Sequence, residues 1–265
     1  MKNIKIITLI VLSMVFFYAC EKSDNGTEPD DKDNNNLTLL LPYKIGNIYT
    51  FNIDTLNLST QSYENIGTRK TTVLTKIEID DYSNILCENK YFFQNVTQSF
   101  NVMFKVSETE ISCYADTIAI KQLVPDSLSQ NFQLITDGTF NLLNRNYSDN
   151  ESWVVYKVAA KTLFGKFNIL IIDGSYIGEE EIKLNELNKT VTAKKVEYSI
   201  KLKIPDINNP LQTHTKNTKA YIWFTQEYGI IKLEGSALLI NPIGGYLFTP
   251  ADSSRTVRHI LTASE

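Results

Sequence analysis

Beyond Leu37 the chain alternates. Val196, Tyr198, Ile200, Leu202 and Ile204 are separated by Lys195, Glu197, Ser199, Lys201 and Lys203, as in a strand with one buried and one wet face. Val73, Thr75, Ile77 and Ile79 alternate in the same way with Leu74, Lys76 and Glu78. Ile231, Leu233, Gly235 and Ala237 alternate with Lys232, Glu234 and Ser236. Phe167 to Ile172 and Tyr221 to Phe224 are apolar on both faces, which suits central, doubly covered strands. Turn-forming residues punctuate these runs at Asp80 to Asn84, Asp137-Gly138, Asp173-Gly174, Asn208-Asn209-Pro210 and Asn241 to Gly245. The pattern predicts a mostly-β, antiparallel domain. Helical patterns are scarce: one or two turns fit within Pro125 to Ile135 and again within Glu179 to Leu187.

The Asn- and Asp-rich stretch Asn141 to Asn150 separates residues 42–124 from residues 151–265. The two parts share loose likenesses. Gly46 to Phe51 opens one and Glu151 to Tyr156 the other, with Phe104-Lys105-Val106 and Trp223-Phe224-Thr225 nearer their ends. Because the spacings differ, the expectation is one domain over residues 38–265 with two sub-sheets, whether or not the halves are a true repeat.

The amino end reads differently. Lys2 and Lys5 precede a mostly apolar run, Ile6 to Phe17, interrupted by Thr8 and Ser13. That run falls short of the about 20 residues a spanning helix needs. A basic start, a short apolar core and the small Ala19 describe a secretory signal over residues 1–19, against the alternatives of a membrane anchor or a buried first helix. Ala19-Cys20 resembles the lipobox of bacterial lipoprotein precursors, although Phe17 and Tyr18 are bulkier than the usual pair. The resemblance implies cleavage before Cys20 and acylation of its thiol with palmitate-type chains, and several chains together give stable membrane anchoring. Glu21 to Asn36 then carries six acids and two lysines with no aliphatic or aromatic side chain. Such a segment cannot offset its ordering entropy by burial, so residues 20–37 are expected to be a lipidated cysteine and a disordered acidic tether. Acids at this place resemble the signal that sends some Gram-negative lipoproteins to the outer face of the outer membrane. They read equally well as a solvated spacer.

Composition narrows the function. Apolar residues make up 43% and charged residues 21% of the 265, so the chain as a whole is not disordered. The formal charge is −4, and loss of Lys2 and Lys5 with the leader takes it two lower, to −6. That balance disfavours nucleic acid, whose phosphates need a basic surface. No Gly-x-Ser-x-Gly elbow or phosphate loop occurs. His214, in a polar stretch, and His259, in the last strand, are the only imidazoles, and they suit surface or packing roles better than a zinc site. Neither metal nor cofactor is expected. Adjacent strand residues point to opposite faces, so Glu179-Glu180-Glu181 does not form a glycosidase pair and reads as a solvated turn. Cys87 and Cys113 could pair in an oxidising envelope compartment or stay as two buried free thiols. The aromatics Tyr49, Phe51, Trp153, Trp223 and Phe224 sit in strand runs. They either line a hydrophobic or carbohydrate-stacking groove or simply pack the core.

Tyr176 to Glu180, Val191 to Val196, Tyr221 to Phe224 and Gly229 to Lys232 follow one another in an order that resembles secreted bacterial domains related in shape to the LolA/LolB lipoprotein carriers. A proline-glycine segment usual there is replaced by Asn185 to Lys189. The resemblance implies a curled half-barrel whose apolar concavity holds acyl chains. The expectation is therefore a non-catalytic outer-membrane lipoprotein that binds a lipid or an acylated protein through those five aromatics. The alternative is a structural or adhesive surface protein that recognises a protein or glycan.

Overall fold

The alternating segments are strands, and they form one sheet. The computed structural model describes residues 40–114, 133–148, 151–162, 165–205, 213–246 and 254–265. The leader, Cys20 and the tether, the helical turns expected from Pro125 up to residue 132, and the Asn208-Asn209-Pro210 turn lie outside the described residues. In chain order the strands are β1 (Ile48–Asn57), β2 (Ser62–Ile79), β3 (Tyr82–Phe93), β4 (Val96–Ser107), β5 (Glu110–Tyr114), β6 (Gln133–Thr136) and β7 (Thr139–Asn144). β8 (Ser152–Thr162), β9 (Gly165–Leu184), β10 (Lys189–Pro205), β11 (Thr213–Thr225), β12 (Gly229–Ser236) and β13 (Thr256–Ser264) follow, with a helix α1 (Ala237–Ile243) between the last two.

The sheet is antiparallel and its order is β6-β8-β9-β10-β11-β12-β13-β1-β2-β3-β4-β5-β7. It is a meander in which the last strand pairs the first, Ile53 lying opposite His259. The two expected sub-sheets are thus joined edge to edge in one curled sheet that does not close into a barrel. Its edges are consecutive strands, β6 and β7, linked by the expected Asp137-Gly138 turn, where Gly138 has φ 74°.

An open edge exposes unpaired backbone groups, and β7 shields its own by packing against other strands. Trp153 Nε1 donates to the Asn141 carbonyl at 2.9 Å, and Tyr198 Oη donates to the Leu142 carbonyl at 2.7 Å. Phe140 stacks on Tyr156 with ring centroids 4.2 Å apart. Phe140, Leu142 and Leu143 are fully buried as a result.

Three expectations are corrected. Asp173-Gly174 is not a turn but lies inside β9, a strand of 20 residues. The glycine is there because the Trp153 ring lies across it: a Cβ would stand 2.7 Å from two ring carbons and 2.9 Å from a Val155 methyl. Glu179 to Leu187 is not helical either, since β9 runs on to Leu184 and pairs with β10. Its glutamates lie on a strand rather than in a solvated turn. A bulge at Gly178, with φ 115°, shifts the register against Lys195 and Val196 and changes which face of β10 turns inward. Finally, the alternation of Val73 to Ile79 does not hold one face in the core. Val73 is buried, but past the register shift after it Ile77 is 56% exposed and Ile79 40%, so both faces of this hairpin end are wet.

Overpacking in a filled core costs about 1–3 kcal/mol. Gly174→Ala is expected to lower the unfolding free energy by that amount, read as a lower urea midpoint at an unchanged denaturant slope in equilibrium unfolding followed by tryptophan fluorescence.

Candidate functional site

A curled sheet has a concave face to cover, and the stretch after β12 covers part of it. Ala237-Leu238-Leu239-Ile240-Asn241-Pro242-Ile243 forms α1, with all but Asn241 buried. Seven residues are too few for a helix that stands alone. Burying Leu238, Leu239, Ile240 and Ile243 at about 1.5–3 kcal/mol each supplies what helix propensity does not. At its end, Gly244 N–H bonds the Ile240 carbonyl at 3.1 Å, and Gly245, with φ 76°, turns the chain away.

The carbonyl of Gly244 is the docking point. It accepts from Asn89 Nδ2 at 2.9 Å and from Tyr91 Oη at 3.0 Å, both on β3. Three strands, β13, β1 and β2, separate β12 from β3 in the sheet, so the helix bridges the concavity. A side chain at Gly244 would not fit, because its Cβ would stand 2.0 Å from Tyr91 Oη. Leu40, Leu41 and Tyr43 pack into the same core, the Tyr43 ring tilted on Tyr49 at 4.7 Å and edge-on to Phe104 at 6.2 Å.

Beneath the helix end sits a buried polar cluster. Thr71 Oγ1 donates to Asn89 Oδ1 at 2.5 Å. Arg69 is 5% exposed, its guanidinium 4.2 Å above the Phe51 ring, and its Nε has no hydrogen-bond partner. Among the described residues no carboxylate pairs with it. Asp54, on neighbouring β1, is held by Arg258 through Nε at 3.0 Å and Nη2 at 2.7 Å. His259 is buried with Nδ1 unpartnered. Burial, and secondarily the charge of Arg69, hold its pKa well below the ordinary imidazole value, so it is neutral. Burial raises the Tyr91 hydroxyl, against the opposing influence of Arg69.

Next to this cluster is a cavity of about 230 Å³. Ile53, Ile66 and Val257 give it aliphatic walls, and Tyr91, Phe93 and Tyr246 aromatic ones. Among the described residues, Asn241, Arg255 and His259 are its polar groups and no acid lines it. The rings fix one another: Tyr246 meets Tyr91 edge-on at 5.4 Å and Phe93 at 6.3 Å. A wider groove of about 570 Å³ runs between the β2–β3 and β4–β5 turns, edged by Glu78, Asp80, Asp81 and Glu108. Glu78 there already accepts from Ser83 and pairs with Lys76, which together lower its pKa.

The aromatics singled out in the sequence do not converge on one surface. Tyr49 and Phe51 reach the covered concavity, and Phe51 carries Arg69. Trp153 is tied to β7. Phe224 is buried in the core opposite Ile230. Trp223 lies under a charged layer, with Lys232 Nζ 4.2 Å and Lys195 Nζ 4.9 Å from its ring and its Nε1 donating to Glu180 at 3.0 Å. Those hydrogen bonds from Lys195 and Trp223 lower the Glu180 pKa. Cys87 and Cys113 are both buried free thiols, not a disulfide. Burial pushes the Cys87 thiol up to about 12 and the Cys113 thiol up as well. His214 lies exposed on β11, opposite Ile204.

Arg69, Asn89, Tyr91 and Tyr246 were not singled out in the sequence. The available signal was the alternation of Val73 followed backwards, which sets Thr71 and Arg69 on the same face as that valine.

No protein-family model and no curated protein matches the sequence. Solved structures do. A candidate lipoprotein from Parabacteroides distasonis ATCC 8503 is 13% identical with a TM-score of 0.50, over 85% of this chain and 98% of that one. A candidate exported protein with YmcC-like fold from Bacteroides fragilis NCTC 9343 is 11% identical with a TM-score of 0.48, over 85% and 98%. The lipoprotein YmcC of Escherichia coli K12, named hypothetical, is 10% identical with a TM-score of 0.33, over 92% and 97%. At such identities the first of these likenesses establishes the fold.

A histidine held neutral inside the fold gains its proton only on unfolding. Its contribution is therefore intact above about pH 6.5 and is lost as the pH falls below that value, by up to about 1.4 kcal/mol per unit. Between pH 7.5 and 5, His259→Gln is expected to lose up to roughly 2 kcal/mol less stability than the wild type, measured by urea unfolding at each pH.

Proposed function

We propose that the chain is an envelope lipoprotein, anchored to the outer membrane through acylated Cys20, whose folded unit binds a small molecule and catalyses no reaction. The observation that carries the binding reading is the covered concavity. α1 and Leu40 to Tyr43 occupy the face where a LolA/LolB-type carrier would hold acyl chains, and a cavity of about 230 Å³ is left beside them. Its aliphatic and aromatic walls and few polar groups suit an apolar ligand with a polar end. For catalysis the two imidazoles are badly placed, one exposed on β11 and one buried beside Arg69.

The address rests on the leader and on Ala19-Cys20. The shared fold with a candidate Parabacteroides lipoprotein is in keeping with it. Cys20→Ala is expected to stop incorporation of labelled palmitate and to move the protein from the membrane to the soluble envelope fraction. A variant that stays in the membrane overturns the anchor. For the binding half, native mass spectrometry of the membrane-purified protein is expected to return a bound apolar molecule. Recovery of the protein with nothing bound overturns that half.

A further inference from the structure

We propose that the cavity beside α1 is a binding site for a phenol, a flat apolar ring bearing one hydroxyl group, and that His259 is the residue that recognises the hydroxyl. The inference rests on the small-molecule reading above and adds the class of ligand.

The register of β13 puts His259 in the cavity wall. Val257, His259 and Leu261 alternate inward, and His259 lies opposite Ile53 on β1 and Leu233 on β12. Both neighbours on its face and both partners are aliphatic. An imidazole in such a place, 2% exposed, loses its water and needs a partner for its ring nitrogens. Nδ1 has none among the described residues, and the ring lines the cavity. A molecule seated in the cavity therefore meets this ring directly.

The charge state decides what that molecule offers. Burial, and then the nearby Arg69 cation, keep the imidazole neutral, so it presents one N–H donor and one lone pair. A hydroxyl both donates and accepts, and it satisfies the imidazole in either tautomer. An ether oxygen only accepts. Asn241 adds a second polar wall. It is the one polar residue of α1 and the one not buried, and its amide also bonds a hydroxyl without needing a charge.

The apolar walls match a ring. Tyr91 and Phe93, two residues apart on β3, lie nearly parallel at 20° with centroids 5.9 Å apart, and Tyr246 stands edge-on to both. Ile53, Ile66 and Val257 add aliphatic surface. Aromatic rings pack best on other rings in such offset and edge-on arrangements. A few polar groups in an otherwise apolar pocket then fix the orientation.

The test titrates 4-methylphenol into the full-length, acylated protein in lipid nanodiscs. Anisole, an isomer without the O–H, cyclohexanol, without the flat ring, and benzoate, with a charge, are the other arms. 4-Methylphenol is expected to raise Tm by about 3–6 °C at ten times its dissociation constant, and each of the others to bind at least tenfold more weakly. His259→Phe keeps a flat ring but no nitrogen and is expected to bind 4-methylphenol no more tightly than anisole, while His259→Gln keeps part of the preference. The chain has two histidines, so in ¹⁵N-histidine-labelled wild type the imidazole signal absent from His259→Gln belongs to His259. 4-Methylphenol is expected to shift that signal and leave the one from His214 in place. Equal binding of anisole, an undiminished preference in His259→Phe, or an unmoved His259 signal overturns the hydroxyl assignment and leaves the small-molecule reading standing. Equal binding of cyclohexanol overturns the flat ring, and tighter binding of benzoate overturns the neutral class. No response to any probe overturns the phenol, whereas the small-molecule reading falls only if the membrane-purified protein carries nothing.

Discussion

Everything inside this protein follows from the need to cover the concave face of an open, curled sheet. Two devices do so, and both use backbone carbonyls as fixed points. On one side β7 packs against strands from the other edge and is held by the Trp153 indole and the Tyr198 hydroxyl. On the other, a helix too short to exist alone reaches from β12 to β3 and is held by Asn89 and Tyr91 at Gly244. Each contact satisfies a carbonyl that would otherwise be buried unpaired, so it gives direction as well as stability. The sheet stays open as a ladder while its interior is largely filled.

Filling the interior this way creates the site. A helix that ends inside a protein leaves carbonyls to satisfy, and β3 answers with two polar side chains, β2 with Thr71 and Arg69. Polar groups are thereby drawn into a place where apolar ones would pack more easily. Arg69 Nε and His259 Nδ1 are left without hydrogen-bond partners, His259 beside a cavity walled by aromatic rings.

The sheet was legible because its signal is local. Strand β10 could be read directly from Val196 to Ile204, and the turns at Asp80-Asp81 and Asp137-Gly138 from their own chemistry. What escaped depends on distant partners. Gly174 reads as a turn residue because nothing nearby announces the Trp153 ring that excludes a side chain. Ala237 continues the alternation of β12, and a helix buried almost all round has no polar face to give a helical period. The Glu179 to Leu187 stretch looked helical because its charges are close together, yet β10 supplies the partner strand and Lys195 the partner for Glu180. The candidate site was hidden for the same reason. Arg69 stands among Thr68, Lys70 and Thr72 like any surface residue, and only the register of β2 turns it inward.

The most direct test of this account is native-state amide hydrogen exchange, read segment by segment. If α1 is a permanent part of the interior, the amides of Leu239, Ile240, Asn241, Ile243 and Gly244 exchange as slowly as those in the centres of β3 and β12, in the absence of any added ligand. Rapid exchange across those residues while both strands remain protected would mean that the concave face is ordinarily open. The filled interior on which the account rests would then be wrong.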